Sequence, residues 1–177
     1  MSSYEKFNSN LLADSDFGGI AKPGNFEKKL VEGITGGIDK PEDKAAAILL
    51  HLQEKVKWNE YHGIYASKPP AKVYEAGTGS LGDINLMLVA CLRAAGLKAD
   101  PMILATRNHA RLHPIYPNRR RFNYVAAVID IGGNTIFADA SIKGLPLGYL
   151  PEKCLNGEGW LVRAESPGFI PVQAAAV

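Results

Sequence analysis

The chemistry of this chain concentrates at Gly77-Thr-Gly-Ser-Leu-Gly82, a segment that satisfies G-x-G-x-x-G and runs straight into the apolar stretch DINLMLVACLRAAG. Three chemistries use such a segment. A dinucleotide-binding turn seats a pyrophosphate on the helix N-terminus. An esterase turn would expose Ser80 as nucleophile in a variant of G-x-S-x-G. A cysteine enzyme would hold a thiolate at the same place, because the free N–H groups and the helix dipole stabilise negative charge there.

The first two readings need a buried strand before the glycines. What precedes them is KPPAKVYEA, with two prolines, two lysines and a glutamate, a poor central strand. Asp100 lies about where a ribose-binding acid would fall, but the strands after the helix form a hairpin and do not return through a second helix. The esterase also needs a late histidine, and the last one is His113. The third reading asks for a histidine on a neighbouring strand and an acid on the next.

Other reactive side chains fit no such set. Cys91 falls inside the apolar helix and reads as a small buried hydrophobe. Cys154 follows Leu-Pro-Glu-Lys in what reads as a surface turn, and neither cysteine belongs to a C-x-x-C. His109 and His113 are spaced i, i+4, as metal ligands on a helix would be. They sit in RNHARLHP, a loop with no third ligand, so a solvated loop is expected, with no metal and no cofactor. Arg119, Arg120 and Arg121, beside Arg107 and Arg111, read as part of the same solvated region.

These residues must be positioned by elements that the pattern predicts. Residues 1–24 read as an irregular arm. Asn25 opens a short helix stopped by Gly36-Gly37, and Asp39, Pro41 and two acids open a stronger one with Ala45, Ile48, Leu49, Leu52 and Val56 on one face. Residues 59–76 read as a long surface loop. The helix after Gly82 has Ile84, Leu88, Cys91, Leu92 and Ala95 on its inner face and closes at Gly96. Strands are expected over 99–106, 122–131 and 134–138, the last two joined by the hairpin turn Gly132-Gly133. The tail reads as a departing strand or as frayed chain. Helices before an antiparallel sheet make the fold class α+β.

Residues from about Lys40 to Trp160 resemble the transglutaminase-like domain, a papain-like fold with a cysteine nucleophile. The resemblance is carried by GSLGD leading to ACLRAAGLKAD, by NYVAAVIDIGGNTIFADAS, and by LPEKCLNGEGWLV. The family's helix opening is Gly-x-Cys-x-Asp, its strand begins with histidine, and the strand after the hairpin ends in Asp-x-(Thr/Ser). Carried over, the cysteine falls on Leu81, the histidine on Asn123 and the aspartate on Asp139. Leucine has no nucleophilic atom, and an amide cannot shuttle a proton near neutral pH. The resemblance therefore implies the papain-like fold, N-terminal helices packed on an antiparallel sheet, without the family's chemistry.

The expected product is a non-catalytic binding or scaffold module with Asn123 as the partner of Asp139. The alternative is a hydrolase or acyltransferase using Ser80 or Cys154. Asp83 and Asn85, with Tyr61, Tyr65 and Tyr124, are the groove candidates for a peptide or glycan. The implied division is 1–38 as arm and short helix, 39–163 as core and 164–177 as tail. By resemblance to a branch common in Bacteroidetes, the parent protein is larger, periplasmic or at the cell surface, with flanking β-rich domains.

Composition is compatible with this. The 177 residues fit one domain, and a net charge of +2 is too mild to argue for nucleic acid or an anionic membrane. No apolar run approaches the ~18 residues of a membrane span, and no signal core opens the chain.

Overall fold

The computed structural model describes residues 3–107, 109 and 116–172. The expectations on Arg111, on His113 and on the last residues of the tail lie outside the described residues.

The N-terminal half is helical: α1 (Ser3–Ala13), α2 (Gly18–Ala21), α3 (Asn25–Thr35) and α4 (Pro41–Lys55). The irregular arm expected before residue 25 is thus two helices. Their ordering comes from tertiary packing: Tyr4, Leu11, Phe17 and Ala21 are all buried in the core, and α1 by itself is too short to be stable in water. Tyr4 stacks on Trp160 with centroids 4.9 Å apart, and Asn8 bonds both the Trp160 indole and the Arg163 carbonyl. Gly24, not Asn25, caps α3, and its N–H donates to the Glu27 carboxylate at 3.0 Å. Lys40, not Asp39, is the N-cap of α4, whose first residue is Pro41.

After α4 come β1 (Lys57–Trp58), α5 (Pro70–Ala76), β2 (Thr78–Gly79) and α6 (Leu81–Ala94). The supposed loop over 59–76 therefore ends in a helix, which its two prolines start rather than prevent, because proline suits the first helical turn. The segment before the glycines is no central strand, and β2 merely pairs with β1 in a two-stranded parallel ribbon. All residues of α6 from Leu81 to Leu92 are buried. A single inner face understates this helix: the sheet covers one side and α2, α3 and α4 the other.

The strands are β3 (Lys98–Leu104), β4 (Tyr124–Ile131), β5 (Asn134–Ala138), β6 (Gly157–Leu161) and β7 (Gly168–Val172). They form one antiparallel sheet in the order β5-β4-β3-β6-β7. Gly132 and Gly133 turn the β4–β5 hairpin with φ of +61° and +83°, the two left-handed positions that a tight hairpin of this kind requires. The C-terminal segment neither departs nor frays over 168–172. It doubles back on β6 and adds the edge strand, with Val172 buried.

Candidate functional site

The glycine motif is steric. Gly77 ends α5 in the left-handed region, with φ +72°. A Cβ on Gly79 would lie 2.8 Å from Val73 Cγ1, and one on Gly82 would lie 2.2 Å from the Tyr65 carbonyl oxygen. Two glycines therefore let α5 and the 59–69 segment press against the start of α6. No phosphate cradle is needed to account for them.

The N-terminus of α6 is closed by its own residues. Ser80 Oγ accepts from the Asp83 N–H at 3.2 Å, and the Ser80 N–H donates to Asp83 Oδ2 at 3.0 Å. Asp83 also accepts from the Ser67 N–H at 2.6 Å and from Ser67 Oγ at 2.7 Å. Burial alone would raise the Asp83 pKa, but the hydrogen bonds from Ser80 and Ser67 outweigh it and the net shift is downward. Leu81, the first residue of the helix, is fully buried, and its N–H donates to the Tyr61 carbonyl at 3.0 Å.

Asp139 follows β5 and is buried among donors. Its Oδ1 accepts from Asn85 Nδ2 at 2.9 Å, from the Ser141 N–H at 2.9 Å and from Ser141 Oγ at 2.6 Å. Its Oδ2 accepts a hydrogen bond from the Tyr124 hydroxyl. Asn85 spends its remaining capacity on the Val125 carbonyl and the Ala140 N–H. It thus pins α6 to β4 and to the end of β5.

The expected Asn123–Asp139 pair is not formed. Asn123 Oδ1 accepts from the Thr106 N–H, and its Nδ2 donates to Thr106 Oγ1, both at 2.9 Å. The reason is strand parity. Ala127 faces Ala138 across the hairpin, so Ala126 and, two residues back, Tyr124 share the face of Asp139, while Asn123 points the other way. Leu81, Tyr124 and Cys154 belong to one apolar cluster. Burial and the neighbouring Asp139 carboxylate push the Tyr124 pKa far up, so it is a hydrogen-bond donor and not a base. Sequence reasoning missed Tyr124 as the residue that reaches Asp139. Counting strand positions back from Asp139 through the two-glycine turn would have found it.

The other candidates are placed as follows. Tyr61 is 72% exposed. The Tyr65 ring packs edge-on against Phe17 with centroids 6.3 Å apart. Cys154 is not in an exposed turn: it is 1% exposed within a 3-10 turn, Glu152–Cys154. Burial pushes its thiol up to about 12, with Asp139 adding to the shift and Lys153 and Tyr124 opposing it. Cys91 is also pushed up to about 12, by burial and by Glu27. Ser80 Oγ serves as the helix cap. Among the described residues no group of three His, Cys, Asp or Glu side chains is placed to hold a metal, and no helix is long and apolar enough to cross a membrane.

A helix N-terminus set against an antiparallel sheet, with an aspartate beyond the second hairpin strand, defines the papain-like class. The sequence model of the Transglutaminase-like superfamily matches residues 28–135, more than half of the chain, and the chain belongs to that superfamily. Solved structures agree on the fold. A protein from Parabacteroides distasonis ATCC 8503 described as a putative protease superimposes with a TM-score of 0.67 at 12% identity, over 97% of this chain and 30% of its own. One from Cytophaga hutchinsonii described as a putative cysteine protease gives 0.52 at 20% identity, over 89% and 52%. This chain thus spans only about a third to a half of those proteins. No curated protein matches the sequence.

Proposed function

We propose that this domain carries out none of the acyl-transfer or peptide-cleaving chemistry of its superfamily and works as a binding or scaffold module within a larger protein, periplasmic or at the cell surface. One observation carries the reading. The position where the family places its nucleophile holds Leu81, a fully buried side chain without a nucleophilic atom, and the β4 residue that reaches Asp139 is a tyrosine. A tyrosine with a strongly raised pKa does not accept a proton at neutral pH. The buried polar set of Asn85, Tyr124, Asp139 and Ser141 then acts as a lock joining α6, β4 and β5. Every one of its donors and acceptors has a partner, which is what a structural network requires.

The test is turnover. The purified domain is incubated with a glutamine peptide plus a primary amine, and separately with peptide substrates, while its thiols are titrated with iodoacetamide. The expected result is no product above buffer and slow alkylation at neutral pH, because the thiolate is the reactive form. Turnover abolished by Cys154→Ser or by Ser80→Ala would overturn the reading.

A further inference from the structure

Over the buried Leu81, Tyr124 and Cys154 lies a cluster of Lys153, Trp58 and His62. Lys153 Nζ sits 4.8 Å from the centroid of the Trp58 ring and 5.3 Å from that of Tyr124. The His62 ring stands edge-on to Trp58 at 5.1 Å and tilted to Tyr124 at 6.4 Å. Trp58 is half-buried and held in place by its indole N–H, which donates to the Tyr61 carbonyl at 3.0 Å.

Among the described residues the ammonium meets ring faces and no acceptor. Among the described residues no carboxylate lies within ion-pair distance of Lys153. Its neighbour Glu152 turns to Arg107, 3.6 Å away, and Arg107 also donates to the Leu155 carbonyl. Asp139 lies beneath with its oxygens already taken by Asn85, Ser141 and Tyr124. An ammonium has three donors and no acceptor capacity, and ring faces satisfy it only in part. Basic groups crowd the same space. The His62 pKa is lowered first by partial burial, then by Lys153 and by His109. A bound anion would relieve that repulsion.

We infer that Lys153 and His62, beside Trp58 and over the buried ring of Tyr124, bind the carboxylate of a small ligand with an apolar or aromatic body. A monoanion matches one fixed cation and one titratable imidazole. A phosphate is more strongly hydrated and is normally held by several N–H donors or a guanidinium fork, and the described guanidinium nearby, Arg107, is engaged by Glu152 and the Leu155 carbonyl. The apolar body follows from the walls: Trp58 packs against the cluster that contains Leu81, Tyr124 and Cys154, so the charge sits at the rim of a low-dielectric surface where an ion pair is strengthened. Binding tightens as pH falls and His62 gains its proton. Among the described residues the charged groups that act on His62 are Lys153 and His109, both basic, and its ring neighbours are Trp58 and Tyr124.

An amino-acid carboxylate and a sugar carboxylate share this chemistry, so N-acetyl-phenylalanine and glucuronate serve as separate probes, with N-acetyl-phenylalaninamide as the uncharged control. The His62 ring protons are followed by NMR at neutral and mildly acidic pH, in low and high salt. The expected result is saturable binding of at least one carboxylate with a Kd on the order of 1 mM, none by the amide, a rise in the His62 pKa on binding, and weakening by salt. Lys153→Met should weaken binding by at least about tenfold. The tighter carboxylate identifies the source. Equal shifts by acid and amide, no saturable shift by either carboxylate, or salt-insensitive binding would overturn the inference. The salt and amide arms use the unaltered chain, so they decide even if Lys153→Met does not fold. The inference rests on the reading of a binding module. Turnover would overturn that reading, whereas missing carboxylate binding would overturn this one alone.

Discussion

Tyr124 donates its hydroxyl to Asp139, while its chain neighbour Asn123, just before β4, turns away to Thr106. One residue of register decides which side chain meets the buried acid. Tyr124 also packs with Leu81, so it closes the space where a nucleophile and its base would meet.

Removing that hydroxyl should be costly. Tyr124→Phe leaves Asp139 Oδ2 without its hydroxyl donor in a buried site, and a buried unsatisfied acceptor costs about 1–3 kcal/mol. Urea unfolding should show a lower midpoint with an unchanged slope. Asn123→Ala should leave the Asp139 network intact, and its cost should come from the lost Thr106 bonds alone. Equal effects on the network, read from the Ser141 amide by NMR, would contradict the register.

The same register decides how a thiol could be activated. Leu81→Cys alone should give a buried thiol with a pKa above the ~8.5 of a free cysteine. Adding Tyr124→His places an imidazole on the face of Asp139, and an imidazolium there should draw the thiol pKa below that of Leu81→Cys alone. Adding Asn123→His should not. Titration of the thiolate absorbance checks this, and identical values for the two double variants would mean that the site geometry is lost. Efficient turnover is not expected, since a misplacement of ~1 Å can cost ~100-fold.

Glycine positions separate close approach from mere permissiveness. Gly82→Ala would push a methyl to 2.2 Å from the Tyr65 carbonyl oxygen, and strain of this kind costs about 1–3 kcal/mol. Gly33 lies inside α3 with open space around its Cβ position. Gly33→Ala should stabilise the helix by roughly 0.5–1 kcal/mol. Opposite shifts in thermal midpoint are the expected readout.

Asp83 links acidity to stability. Its folded pKa lies below the ordinary 3.8, because donors from Ser80 and Ser67 favour the carboxylate despite burial. The resulting stabilisation is present above the unfolded pKa and is lost as pH falls through the lower folded value. Asp83→Asn should therefore be less stable than the parent at neutral pH, with a gap that narrows below about pH 4. A gap that is constant with pH would show that the carboxylate charge is not what matters.

Much of the fold is legible in the sequence because its signals are local. The apolar run after Gly82, the Gly132-Gly133 turn and the strands on either side of it fix the α6 and β4–β5 units, and the observed α+β core contains them. The short N-terminal helices were not legible. Their stripes are weak, and they are ordered by partners far along the chain, such as Trp160 and Arg163 for Asn8. The C-terminal hairpin was missed for the same reason: β6 pairs with β3, more than fifty residues away by sequence.

The sequence by itself determined the residue types: a leucine at the head of α6, an aspartate after the hairpin, and cysteines without a histidine partner. Only the tertiary structure decided who meets whom. It brought Tyr124 rather than Asn123 to Asp139, sank Cys154 beneath the surface, and set Lys153 over Trp58 and Tyr124. The physical reason is that strand parity and cross-sheet packing are relations between segments. A side chain's face follows from its pairing register, and a one-residue shift reverses it. Residue identity alone carries no record of that register, and only the two-glycine turn between β4 and β5 hints at it in the sequence.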